Sequence, residues 1–86
     1  FANMPGKVSV DWAGPVEPLL KQISSISGYR FRVLGTRPAI PVMITVNAKD
    51  LPLTSVVRDI DFQSADKASV MVHHPTQTIE LRYRRS

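Results

Sequence analysis

The sequence predicts an α+β domain: two helices packed with small mixed or antiparallel sheets, in the order β-α-β-β-α-β-β. Three observations predict it. Two stretches, 16–27 and 53–60, repeat apolar residues at helical spacing. Five shorter stretches alternate apolar and polar residues with a period of two. A length of 86 residues allows one domain with a modest core, so both kinds of element must share it.

Phe1 to Gly6, which contains Pro5 and Gly6, reads as a flexible lead-in, and 7–86 as the single domain. Lys7 to Trp12 alternates with Val8, Val10 and Trp12 on one face, which predicts a half-buried strand ended by Ala13-Gly14-Pro15. Val16, Leu19, Leu20, Ile23 and Ile26 form the stripe of the first helix. Pro15 and Pro18 sit near its first turn, where a missing N–H costs little, and Glu17 suits the positive end of its dipole. Gly28 is placed to cap its C-terminus.

Tyr29 to Leu34 predicts a strand with Tyr29, Phe31 and Val33 on one face and Arg30, Arg32 and Leu34 on the other. Gly35 to Pro41 reads as a loop, Val42 to Val46 as a strand, and Asn47-Ala48-Lys49-Asp50 as a turn. Leu53, Val56, Val57 and Ile60 mark a short second helix, with Asp50 or Thr54 available as its cap and Pro52 favouring a boundary at Asp50 or Leu51. Gln63 to Lys67 reads as a loop. Ser69–His73 and Thr78–Tyr83 then form a hairpin around His74-Pro75-Thr76-Gln77, burying Val70 and Val72 with Ile79, Leu81 and Tyr83.

The absence of cysteine rules out disulfides and cysteine-ligated metal sites. A formal net charge of +4 leaves nucleic acid, an anionic membrane and an acidic protein as partners. No apolar run approaches the ~20 residues of a membrane-spanning helix. The chain begins at Phe1 with neither an initiator Met nor a signal-peptide pattern, which leads us to expect a processed chain or an excised domain, with room for an anchor upstream.

No constellation points to catalysis. His73 and His74, as strand neighbours, face opposite ways and make a poor chelate. Asp59 near the end of the second helix, with Asp61 and Asp66 in the following loop, read as solvated acids; acid–base work would require a pocket and a partner of different pKa. Ser24, Ser25 and Ser27 sit in no nucleophile-elbow context, and no Gly-rich loop cradles phosphate. The expected catalytic, metal and cofactor-binding residues are therefore none.

The candidate docking residues are basic. Arg30 and Arg32 share one strand face, as do Arg82 and Arg84, with Arg85 following. If those strands are neighbours, one sheet face is an ordinary solvated surface or a docking patch for an acidic partner or lipid headgroups. Trp12, the last inward residue of its strand, is core or a rim contact. Nucleic acid fits poorly, because Tyr29 and Phe31 alternate with the arginines and so point inward instead of offering stacking platforms. Unpaired strand edges are the other candidate, with Pro38, Pro41 and Pro75 restricting them.

The segments "PVEPLLKQISSISGYRFRVLG", "PVMITVNAKDLPLTSVVRDI" and "ASVMVHHPTQTIELRY" resemble the N0 domain of secretins, which is also the signalling domain of some TonB-dependent receptors. Within that group, "SGYRFRVLGTRPAIPVMITV", "VVRDIDFQ" and "IELRY" look most like the DotD/TraH lipoproteins of type IVB secretion and conjugation systems, over residues 7 to 84. The resemblance implies two helices flanked by small sheets. It implies a lipid anchor upstream of Phe1 and a place on the periplasmic face of the bacterial outer membrane. It also implies other subunits of an envelope-spanning complex as partners. A chain that stops after its last strand fits the free-standing lipoprotein or a cut-out domain. A secretin N0 domain, a receptor signalling domain and a nucleic-acid-binding domain are the alternatives.

Overall fold

A computed structural model of the chain describes residues 2–4 and 7–84. The elements follow in the order β1 (Ala2–Met4), β2 (Lys7–Pro15), α1 (Val16–Ser27), β3 (Arg30–Leu34), β4 (Met43–Pro52), α2 (Leu53–Ser64), β5 (Ala68–His73) and β6 (Thr78–Tyr83). From β2 onward this is the predicted β-α-β-β-α-β-β order.

The strands divide into two sheets of three. One is antiparallel, with order β1-β2-β4; the other has order β3-β6-β5, with β3 parallel and β5 antiparallel to β6. The helices lie between them. α1 packs on β2, β3 and β6, whereas α2 packs on β4 and β5. Each sheet turns its apolar face inward: Val8 and Val10 of β2 and Ile44, Val46 and Ala48 of β4 from one side, Ile79 and Leu81 of β6 and Val70 of β5 from the other. Leu19, Leu20 and Ile23 of α1 and Val56, Val57 and Ile60 of α2 fill the space between. An element with one apolar face can bury it only against another, so two half-apolar sheets enclosing two amphipathic helices satisfy every stripe at once.

α1 begins and ends where its residues require. Pro15 occupies the N-cap with no side-chain capping bond. At the other end Gly28 adopts the left-handed conformation at φ 71°, and the Tyr29 N–H reaches back to the Ser24 carbonyl at 2.8 Å. Those bonds satisfy carbonyls that the helix end would leave open, and glycine adopts the required φ without a Cβ penalty.

The observed elements differ from the expected ones in several places. β2 does not end at Ala13-Gly14-Pro15, because those residues pair with Thr45, Ile44 and Met43 of β4, which itself starts one residue after Val42. Ala2–Met4, read as lead-in, pair with β2; Phe1, Pro5 and Gly6 lie outside the described residues. Asn47 to Asp50 is no turn, because β4 runs on to Pro52. Tyr29 precedes β3, which starts at Arg30. α2 starts at Leu53 with Pro52 as its N-cap, so neither Asp50 nor Thr54 caps it. α2 also continues to Ser64, which makes Asp61 and Gln63 helical residues.

The β4 extension has a local cause. Val8 faces Leu51 while Val10 faces Ala48, so Ser9 opposes the two residues Lys49 and Asp50. Asp50 absorbs the extra residue at φ 52°, a conformation aspartate tolerates better than most side chains. The Asp50 N–H donates to Ser9 Oγ at 2.9 Å, and the Ser9 hydroxyl donates to Asp50 Oδ1 at 3.2 Å. A sequence that looks like a turn is thus a bulge fastened by its own side chains.

Candidate docking surfaces

The pairing of β3 with β6 decides what the arginines can do. Arg32 faces Glu80 and Leu34 faces Arg82, so Arg30, Arg32 and Arg82 share the outer face of their sheet. All three are exposed. Glu80, on the central strand, is only 8% exposed although it lies on that face. Its carboxylate sits 3.6 Å from the Arg82 guanidinium. Met71 of β5 is directly opposite Glu80 and is 51% exposed. The face is therefore basic at its margins, with an apolar thioether beside a partly covered carboxylate.

Arg84 does not extend this face as a strand residue. It follows the end of β6, where its N–H donates to the Lys67 carbonyl at 2.8 Å. Its side chain lines an open cleft of about 650 Å³ with Thr36, Arg37, Asp66 and Lys67. Arg85 lies outside the described residues. Trp12 is half-buried against the core, and its indole N–H donates to the Pro15 carbonyl at 3.1 Å. That bond closes the chain over the end of β2 just before α1.

The cleft is bordered by a polar network that fixes the loop after β3. The Tyr83 hydroxyl donates to Glu17 Oε1 at 2.9 Å, and Arg37 Nε donates to the same oxygen at 2.8 Å. Burial, and then the bond to Glu17, push the Tyr83 phenol up to about 12. Gly35 lets the loop leave β3. Its φ is 86°, and a Cβ there would lie 2.5 Å from the Tyr83 carbonyl oxygen.

The strand edges are treated unequally. On β4, Gln63 of α2 accepts from the Thr45 N–H at 2.9 Å and donates from Nε2 to the Thr45 carbonyl at 2.6 Å. On β5, Asp61 of α2 accepts from the Val70 N–H at 2.8 Å. Residues two apart on a helix point about 200° apart, so one helix between two sheets can reach both edges. Asp59, four residues before Gln63, accepts from the same amide nitrogen at 3.2 Å and steadies it. Neither Asp61 nor Gln63 is the free loop residue the sequence suggested. Gln63 replaces a missing strand at one rung of β4, and Asp61 occupies the outward N–H of one rung of β5.

β3 has no such cover. Arg30 N–H donates to the Gln77 carbonyl at 2.7 Å, so Arg30, Arg32 and Leu34 turn their backbone groups to β6. Phe31 and Val33 must turn theirs outward, and among the described residues these groups have no hydrogen-bond partner.

The remaining candidates for chemistry are scattered. The two histidines end β5 and begin the turn, and His74 Nδ1 shares a hydrogen bond with the Tyr29 hydroxyl at 2.9 Å. Among the described residues, no three His, Asp or Glu side chains are grouped to hold a metal ion. No described helix is long and apolar enough to cross a membrane. Sequence reasoning missed Phe62, 80% exposed on α2, and Ile40, 75% exposed in the loop after β3. Composition alone cannot separate such residues from the core.

No curated protein matches the chain. The family model described as "DotD protein" matches residues 2–83, nearly the whole chain. The same stretch comprises every described strand and helix, including the β1 strand that the residue pattern left out. The chain belongs to the DotD family of type IV secretion-associated proteins.

Proposed function

We propose that this domain is a non-enzymatic docking module, set on the periplasmic face of the bacterial outer membrane as part of a lipoprotein subunit of a type IVB secretion or conjugation core complex. The observation that carries the reading is the family match together with a sheet whose outer face gathers Arg30, Arg32 and Arg82 beside an uncovered strand. The N0-like resemblance of the sequence supports the same kind of role. Binding here rests on a rigid surface held by two sheets and needs no reactive side chain. Long-range attraction from the arginines speeds encounter with an acidic subunit, and a strand edge or apolar contact then holds it.

Cross-linking of the native protein in intact envelopes, followed by identification of the joined chains, tests this reading. Recovery of other secretion-system subunits is the expected result. Recovery of none, with the protein itself present and folded, overturns it.

A further inference from the structure

We infer that β3 is the docking strand, and that it takes an extended partner segment alternating acidic and apolar residues as a fourth strand of the β3-β6-β5 sheet. The inference rests on the docking role proposed above and assigns it to one edge and one partner chemistry.

Four strands stand at sheet edges: β1 and β4 in one sheet, β3 and β5 in the other. Edges left bare invite pairing, and proteins usually block those they do not use. Here α2 covers one rung on each of two edges: Gln63 takes both backbone groups of Thr45 near the start of β4, and Asp61 takes the Val70 N–H on β5. β1 is three residues long. β3 spans five residues, and its Phe31 and Val33 N–H and C=O groups face outward without a partner among the described residues.

The side chains beside that edge specify what fits. Phe31 and Val33 point to the core layer yet remain half-buried, packed against the core on one side only. An added strand would cover them with its own inward apolar residues. Arg30 and Arg32 stand on the opposite face, exposed, and would lie next to the outward residues of that strand. The one acid of this face, Glu80, is already close to Arg82 and almost covered. Acidic residues on the incoming strand would therefore meet uncompensated positive charge. A second copy of the chain fits less well, because each copy carries a formal +4 and β3 would meet another pair of arginines.

The experiment uses the 86-residue chain and two short synthetic peptides, one alternating Glu and Val, the other Lys and Val. Backbone NMR with amide exchange reads each rung. In the free chain the Phe31 and Val33 amides exchange quickly while those of Arg32 and Leu34 are protected. The Glu-Val peptide slows exchange at Phe31 and Val33 by about tenfold or more, and the Lys-Val peptide does not. Reversing Arg30 and Arg32 to Glu weakens the Glu-Val peptide by about tenfold or more and leaves the spectrum of the fold in place. Val33→Pro removes an outward N–H without removing a bond to β6, and also abolishes binding.

Equal binding of both peptides, or perturbation confined to β1, β4 or β5, overturns the assignment. So does self-association of the unmixed chain through Phe31 and Val33. If the peptides fail while envelope cross-linking still recovers secretion subunits, the docking role stands and only the β3 assignment is lost.

Discussion

Gln63 lies along the edge of β4 as a substitute for a neighbouring strand, accepting from the Thr45 N–H at 2.9 Å and donating to its carbonyl at 2.6 Å. A primary carboxamide has the donor and acceptor spacing of a peptide group, so it satisfies both edge groups of one residue while offering nothing for a further strand. Gln63→Ala should cost about 0.5–1.5 kcal/mol, since water can replace the lost bonds at this exposed site. It should also increase self-association, because the rung at Thr45 is reopened. Urea unfolding and sedimentation measure the two effects. A variant as stable and as monomeric as the parent would contradict the role given to this side chain.

The Tyr83 phenol is raised from 10.0 to about 12, first by burial and then by its bond to Glu17. Between those values the unfolded chain releases a proton that the folded chain retains. Its contribution to stability is therefore complete below pH 10 and is lost as pH rises toward 12. Alkaline spectrophotometric titration should show a late tyrosine ionisation, and Tyr83→Phe should remove that late step. Retention of the late step in Tyr83→Phe would contradict the assignment to Tyr83.

Gly35→Ala should be among the most damaging single changes outside the core. The φ of 86° disfavours any L side chain, and the new methyl would meet the Tyr83 carbonyl oxygen at 2.5 Å. A cost of about 1–3 kcal/mol follows from the backbone conformation alone. Thermal unfolding reads it directly, with Gly28→Ala as the comparison: Gly28 has the same sign of φ but open space around a Cβ, so it should lose less. Equal losses would mean that the close approach to Tyr83 carries no weight.

Replacing Arg30 or Arg32 by Gln should leave stability within about 0.5 kcal/mol, because both are exposed and neither makes an ion pair with a described residue, whereas a Glu at position 32 would stand directly opposite Glu80. Arg37→Ala should cost more than either, since its Nε shares Glu17 with Tyr83 and anchors the loop. Denaturant midpoints of the three variants rank them; a reversed order would contradict the network as described.

The helices and most strands were legible because their stripes are long and regular. Val16 to Ile26 and Val8 to Trp12 repeat without interruption, and burial follows that repeat. The alternation also placed Arg30 and Arg32 opposite Phe31 correctly, and the arginine face became real once β3 and β6 proved to be neighbours. What stayed hidden depends on distant partners. Asn47 to Asp50 looks like a turn by composition, and only the pairing with Ser9 makes it a bulge. Asp61 and Gln63 look like solvated loop residues, and only the place of α2 between two sheets gives each an edge to cover. Choosing among edges required the strand order, which no local pattern encodes.

The central claim is docking through a defined surface of this domain, and site-directed photocrosslinking in native envelopes tests it most directly. A photoreactive residue placed at Arg32, beside the uncovered strand, should join the protein to another subunit of the secretion complex. The same residue placed at Lys49, on the opposite sheet and at its bulge, should not. Joining from neither position to any secretion subunit, in envelopes where the complex is assembled, would contradict the account.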